Sequence, residues 1–94
     1  MRIYLSGGIT DVPDYMDNFD RAQREIEQRG HEVVNPARIL SGLPETTTWK
    51  EYMIISASLM SICDGIYLIS GWQKSKGAKI EAAMAQDVGL SIIT

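Results

Sequence analysis

Four short apolar runs, Arg2–Ser6, His31–Asn35, Ile66–Ile69 and Leu90–Ile93, alternate with three segments of helical periodicity. This alternation limits the chain more than any other feature. The runs are rich in residues that prefer strands, and the segments between them are long enough for crossover helices. The order β-α-β-α-β-α-β predicts an α/β fold with a parallel sheet between two helical layers. Such a three-layer sandwich is of the flavodoxin or Rossmann type. With right-handed crossovers, 2-1-3-4 is the simplest order for four parallel strands. Its switch point lies between the first and third strands, where open sheets bind ligands. Residues 1–94 are read as one domain.

The first helix is expected over 14–29, with Tyr15, Phe19, Ala22 and Ile26 on one face and Gly30 as a left-handed C-cap. Asp11, Asp14, Asp17 and Asp20 lack the spacing of a calcium loop and read as a solvated face with first-turn charges. Pro36 stops the second strand. Asn35, at its carboxyl end, either faces a ligand or forms a turn. Residues 37–47 read as a loop, long for so small a domain and suited to a lid or a subunit contact.

Thr48-Trp49-Lys50-Glu51 is a capping box opening a second helix over 49–63. Ten of those fifteen residues are apolar, more than one face on a sheet absorbs. The surplus predicts a homo-oligomer that buries part of this helix. Association would also supplement a small core. Cys63 reads as core.

The stretch Asp64–Glu81 is a strand, a polar loop and a helix start. Ser70-Gly71-Trp72-Gln73 supplies turn chemistry, and Ser75 is placed to cap the helix. Gly77 and Ala78 let another group approach the first turn. Ile80, Met84 and Val88 mark an apolar stripe, with Ala83 and Ala85 beside it and Glu81 on the edge of the buried face. Glu81 is then either a reactive carboxylate above the strand ends or a charge that complements the helix dipole. Gly89 ends the helix.

Two loops leave the switch point, Ser6–Thr10 and Ser70–Ser75, both rich in glycine and hydroxyl groups. Gly7-Gly8 can expose backbone N–H groups to a ligand, or simply make a tight turn. The pattern is neither G-x-G-x-x-G nor a P-loop. Candidate ligand contacts are Ser6, Gly7, Gly8, Asn35, Gly71, Trp72, Ser75 and Gly77, around Glu81.

A net charge of −3 with nine dispersed Lys and Arg argues against a nucleic-acid surface. A single cysteine excludes an internal disulfide and fits a reducing cytoplasm. The one histidine cannot make a metal site alone, and no cofactor is expected. No apolar run approaches the ~18 residues of a membrane span. A strand directly after Met1 leaves no room for a signal peptide.

The segments MRIYLSGGIT, GHEVVNPA, the tryptophan-led second helix, CDGIYLISGW and SKGAKIEAAMAQDVGL together resemble one superfamily. It is that of the nucleoside 2-deoxyribosyltransferases, in a small phage and bacterial branch of the DUF4406 type. The most specific part is the Gly-Trp loop followed by S-x-G-A-x-x-E-x-x-x-A. The resemblance implies that Glu81 is a nucleophile attacking C1′ of a deoxyribonucleoside or nucleotide, with the base leaving. The glycosyl ester then passes to a second base or to water. Tyr4 matches a first-strand tyrosine near the nucleophile. Gly8 matches the loop that lines the sugar, and Asp64 matches a structural aspartate. Ser75 matches a serine that meets the 5′-phosphate in the nucleotide hydrolase branch, so a 5′-monophosphate is favoured. The transferases also carry an acid in the second helix. Its place here is Ser56 or a neighbour, with no acid between Glu51 and Asp64. That departure favours an alternative, a nucleotide-binding sensor or sponge, and the apolar second helix offers a third reading, an interaction module working through it.

Overall fold

The computed structural model describes residues 1–94. The elements run β1 (Arg2–Ser6), α1 (Tyr15–Gln28), β2 (Glu32–Val34), α2 (Pro36–Ile39), a 3-10 turn (Leu40–Gly42), α3 (Trp49–Met60), β3 (Gly65–Leu68), a second 3-10 turn (Trp72–Lys74), α4 (Lys76–Asp87) and β4 (Ser91–Ile93). The four strands form one parallel sheet in the order β2-β1-β3-β4. The predicted three-layer α/β sandwich and its strand order are therefore observed. No helix is long and apolar enough to cross a membrane.

The period-two alternation of β1 divides its side chains between two cores. Ile3 and Leu5 pack with Phe19, Ala22 and Ile26 of α1. Tyr4 points the other way, with Val34 and Ile66 of the flanking strands, and packs with Met60, Cys63 and Ala85. Buried on both faces, β1 is the axis of the domain. Cys63 is a core residue, as expected. Asp64 accepts the Arg2 backbone N–H at 2.9 Å and so ties the start of β3 to the start of β1.

Three expectations need correction. The supposed loop 37–47 begins with α2 and a 3-10 turn. Asn35 ends the strand one residue early and becomes the N-cap of α2, accepting the Arg38 N–H at 3.3 Å, with Pro36 in the first turn. Proline stops a strand, but its fixed φ also suits a helix start. Second, α3 ends at Met60, not Cys63. Third, the phase of α4 differs. Its buried residues are Ala78, Glu81 and Ala85, while Ile80 is 38% and Val88 69% exposed. Ala78, Glu81 and Ala85 take the buried face and Met84 packs at its edge, while Ile80 and Val88 are turned outward.

Candidate functional site

Tyr4 and Ser6 are two residues apart on β1, so both side chains reach the side of the sheet covered by α4. The Ser75 hydroxyl starts that helix by accepting the Ala78 N–H at 3.1 Å. Glu81 follows on the second turn, only 7% exposed. Its carboxylate is held at both oxygens. Ser6 Oγ donates to Oε1 at 2.6 Å, and Tyr4 Oη donates to Oε2 at 2.8 Å. Burial pushes the Glu81 carboxyl up, and the Ser6 and Tyr4 hydroxyls pull it partly back. Burial, then the Glu81 charge, pushes the Tyr4 phenol above its ordinary range, against the Ser56 hydroxyl. Tyr4 therefore stays a donor at physiological pH.

Tyr4 and Glu81 both line an open cavity of about 870 Å³ above the carboxyl ends of the strands. Gly7 and Asp11 of the β1–α1 loop form one wall. Pro36, Leu40, Leu43 and Glu45, between β2 and α3, form another. Trp49, Tyr52, Met53 and Ser56 of α3 make a third, and Lys74 to Ala78 close the side next to α4. A smaller cavity of about 210 Å³ shares Thr10, Lys74 and Ser75 as walls and adds Gly8, Ser70 and Gly71. At the rim the Lys76 ammonium stands 4.8 Å from the centre of the Trp49 ring.

The fold thus brings Tyr4, Gly7, Ser75, Gly77 and Glu81 to the large cavity, and Gly8 and Gly71 with Ser75 to the small one. Ser6 lines neither, being buried beneath Glu81. Trp72 lines neither cavity. Asn35 is also outside both, its side chain capping α2 and donating to Gln23 at 2.9 Å. Gly7 is explained by packing: a Cβ there would lie 2.9 Å from Ile69 Cβ.

Several cavity residues escaped the sequence. Asp11, grouped with the solvated carboxylates, lines the cavity with a left-handed backbone at φ +62°. Glu45 lines it too. Trp49, Tyr52, Met53 and Ser56 follow i, i+3, i+4 and i+7 and so share one face of α3. That spacing is present in the sequence, and Ser56 stands there at the place of the transferases' acid, but the apolar surplus of the helix points to a subunit interface instead. No three or more of the His, Cys, Asp and Glu side chains gather as a metal-holding set.

Compared with known families, residues 1–94 match the one described as "Domain of unknown function (DUF4406)". No curated protein and no solved structure matches the chain.

Proposed function

The chain belongs to the DUF4406 family, and from its site we propose that it cleaves or exchanges the N-glycosidic bond of a (deoxy)nucleoside 5′-monophosphate, with Glu81 as nucleophile. The observation that carries this is the buried Glu81 carboxylate, held by two hydroxyls at the wall of a cavity large enough for a nucleotide. A carboxylate fixed against a cavity suits attack on an anomeric carbon through an oxocarbenium-like transition state. In the first step a Glu81 oxygen bonds to C1′ as the C1′–N bond breaks, and the base leaves with the electron pair and takes up a proton. In the second, water or another base bonds to C1′, the ester C1′–O bond breaks, and its pair returns to Glu81. An acceptor that carried a proton gives it up.

The surroundings support a nucleotide. The aromatic side chains of Trp49 and Tyr52 offer surfaces for a base. Ser75, Lys74 and the N–H groups that open α4 suit a phosphate. The test is chromatography of free base after incubation with deoxynucleosides and their 5′-monophosphates, with and without a second base. Release that disappears in Glu81→Ala supports the reading. An inert wild type overturns it.

One observation favours a second reading, a nucleotide-binding protein without turnover. The cavity-facing stripe of α3 holds Ser56 and no carboxylate. A missing general acid costs roughly 10²–10⁴-fold in rate. Nucleotide binding without base release would favour this alternative.

Self-association belongs to the same proposal. Ile54 and Ile62, on and just after α3, and Ile80 and Val88, on and just after α4, are exposed apolar side chains that a partner could cover. Sedimentation of wild type against Ile54→Lys tests it.

A further inference from the structure

Both oxygens of Glu81 accept a hydroxyl, but the two hydroxyls differ in place. Ser6 is 1% exposed, lies on no wall of either cavity, and donates at 2.6 Å. That is within the short range of charge-assisted O–H···O⁻ bonds. Tyr4 lines the large cavity and donates at the longer distance of 2.8 Å. One oxygen is therefore held from inside the protein, and the other by a residue of the cavity wall.

We propose that Ser6 is a positioning residue that anchors Glu81 through Oε1, leaving Oε2 as the oxygen that bonds to C1′. The proposal rests on the glycosidic reading above and goes beyond it by distinguishing the two oxygens. Without such an anchor the two oxygens of a carboxylate are equivalent, and its terminal torsion is soft. Ser6 is well placed to remove both freedoms. It ends the central strand, in register with Leu68, and its carbonyl accepts the Ile69 N–H at 2.8 Å. An anchor on a rigid strand is more exact than one on a loop.

The same bond serves both half-reactions. When Oε2 bonds to C1′ and the base departs with the C1′–N pair, Oε1 becomes the ester carbonyl and still accepts Ser6. When the acceptor takes C1′ and the Oε2–C1′ pair returns to Glu81, negative charge regrows on Oε1 opposite a donor already in place. A preformed donor aimed at developing charge favours the transition state. The Ser6 hydroxyl also helps hold the carboxylate ionised, against the effect of burial.

The test compares wild type with Ser6→Ala and Ser6→Thr. The Glu81 side-chain carboxyl carbon is titrated by ¹³C NMR, assigned by its loss in Glu81→Gln. Base release from deoxynucleoside 5′-monophosphates is measured against pH. Ser6→Ala is expected to lower kcat roughly 10- to 100-fold, the effect of one hydrogen bond to a charged group, with much less change in KM. The Glu81 titration and the acid limb of kcat should both move to higher pH. Ser6→Thr keeps the hydroxyl and should restore both. A folded Ser6→Ala variant with the titration and pH profile of wild type overturns the proposal and leaves the glycosidic reading standing. A wild type that releases no base overturns that reading and the assignment of Oε2 with it. The NMR titration then still reports whether Ser6 holds Glu81.

Discussion

Tyr4 Oη and Glu81 Oε2 stand 2.8 Å apart although 77 positions separate them in the chain. The contact needs β1 at the centre of the sheet and α4 crossing above it. It also needs a tyrosine on the strand face that meets that helix. The sheet order and the outward turn of Ile80 and Val88 put Glu81 there. A carboxylate in this position is expensive, because burial disfavours its charged form.

Glu81→Gln should therefore abolish base release and raise stability near neutral pH. The folded-state pKa of Glu81 lies above its ordinary value. Its contribution to stability is most favourable below the unfolded pKa and is lost as pH rises through the folded one. Glutamine fits the same space and carries no charge to desolvate. A gain of about 1 kcal/mol is expected, which is ~4–8 °C in Tm for a domain of this size. The gain should shrink as pH falls through the raised folded-state pKa and be gone below about pH 4, where Glu81 is protonated in the folded and unfolded chain alike. Thermal melts of both proteins from acid to neutral pH check this. Parallel curves would show that burial of the charge is not the governing effect.

Gly7→Ala tests whether the glycine after β1 serves the fold or a ligand. An alanine Cβ would meet Ile69 Cβ at 2.9 Å, and a β-branched residue next to a strand has little freedom to yield. A loss of about 1–3 kcal/mol is expected. At Gly8 the nearest atom is Val12 Cγ2 at 3.2 Å, the end of a side chain in a loop, and Gly8→Ala should cost less. Urea midpoints for the two variants give the comparison.

The strand order could be read from the sequence because alternation of element types and crossover handedness leave few solutions. Glu81 could be found because a helix start above the strand ends is a short-range feature. What stayed hidden depends on close packing in three dimensions. Four residues of α2 are too few to show a period, so Asn35 looked like a ligand contact or a turn before it proved to be a cap. Ile80 and Val88 have the spacing of core residues, but Ala78, Glu81 and Ala85 take the buried face instead. Ser6 ends the first strand as expected, but its hydroxyl, expected to meet a ligand, donates to Glu81 instead. Asp11 gave no local sign of its left-handed backbone.

That backbone makes Asp11 a useful probe. A β-branched side chain at φ +62° is strained, so Asp11→Val should lose about 1–2 kcal/mol. Asp11→Gly relieves the strain but adds freedom to the unfolded chain, two effects of similar size. It should stay within about 0.5 kcal/mol of wild type. Melting curves of the pair, with nucleotide affinity measured on the glycine variant, separate backbone from carboxylate. Weaker binding at unchanged stability would mark the Asp11 side chain as part of the working cavity wall.

Gly77 presents the reverse balance. It occupies the first turn of α4, where alanine gains up to about 1 kcal/mol in helix propensity. The added Cβ would lie 3.2 Å from Met53 Sδ. A thioether on an unbranched chain can move a few tenths of an ångström at little cost. Propensity should win, and Gly77→Ala should be stabilised by about 0.5 kcal/mol or more. The same methyl group pushes Met53, which lines the cavity with Glu81, so space is lost where a ligand would lie. A higher Tm together with a raised KM for base release is the expected outcome. A higher Tm with unchanged KM would place the ligand away from the Met53 wall, and a lower Tm would show that the α3–α4 contact is too rigid to yield.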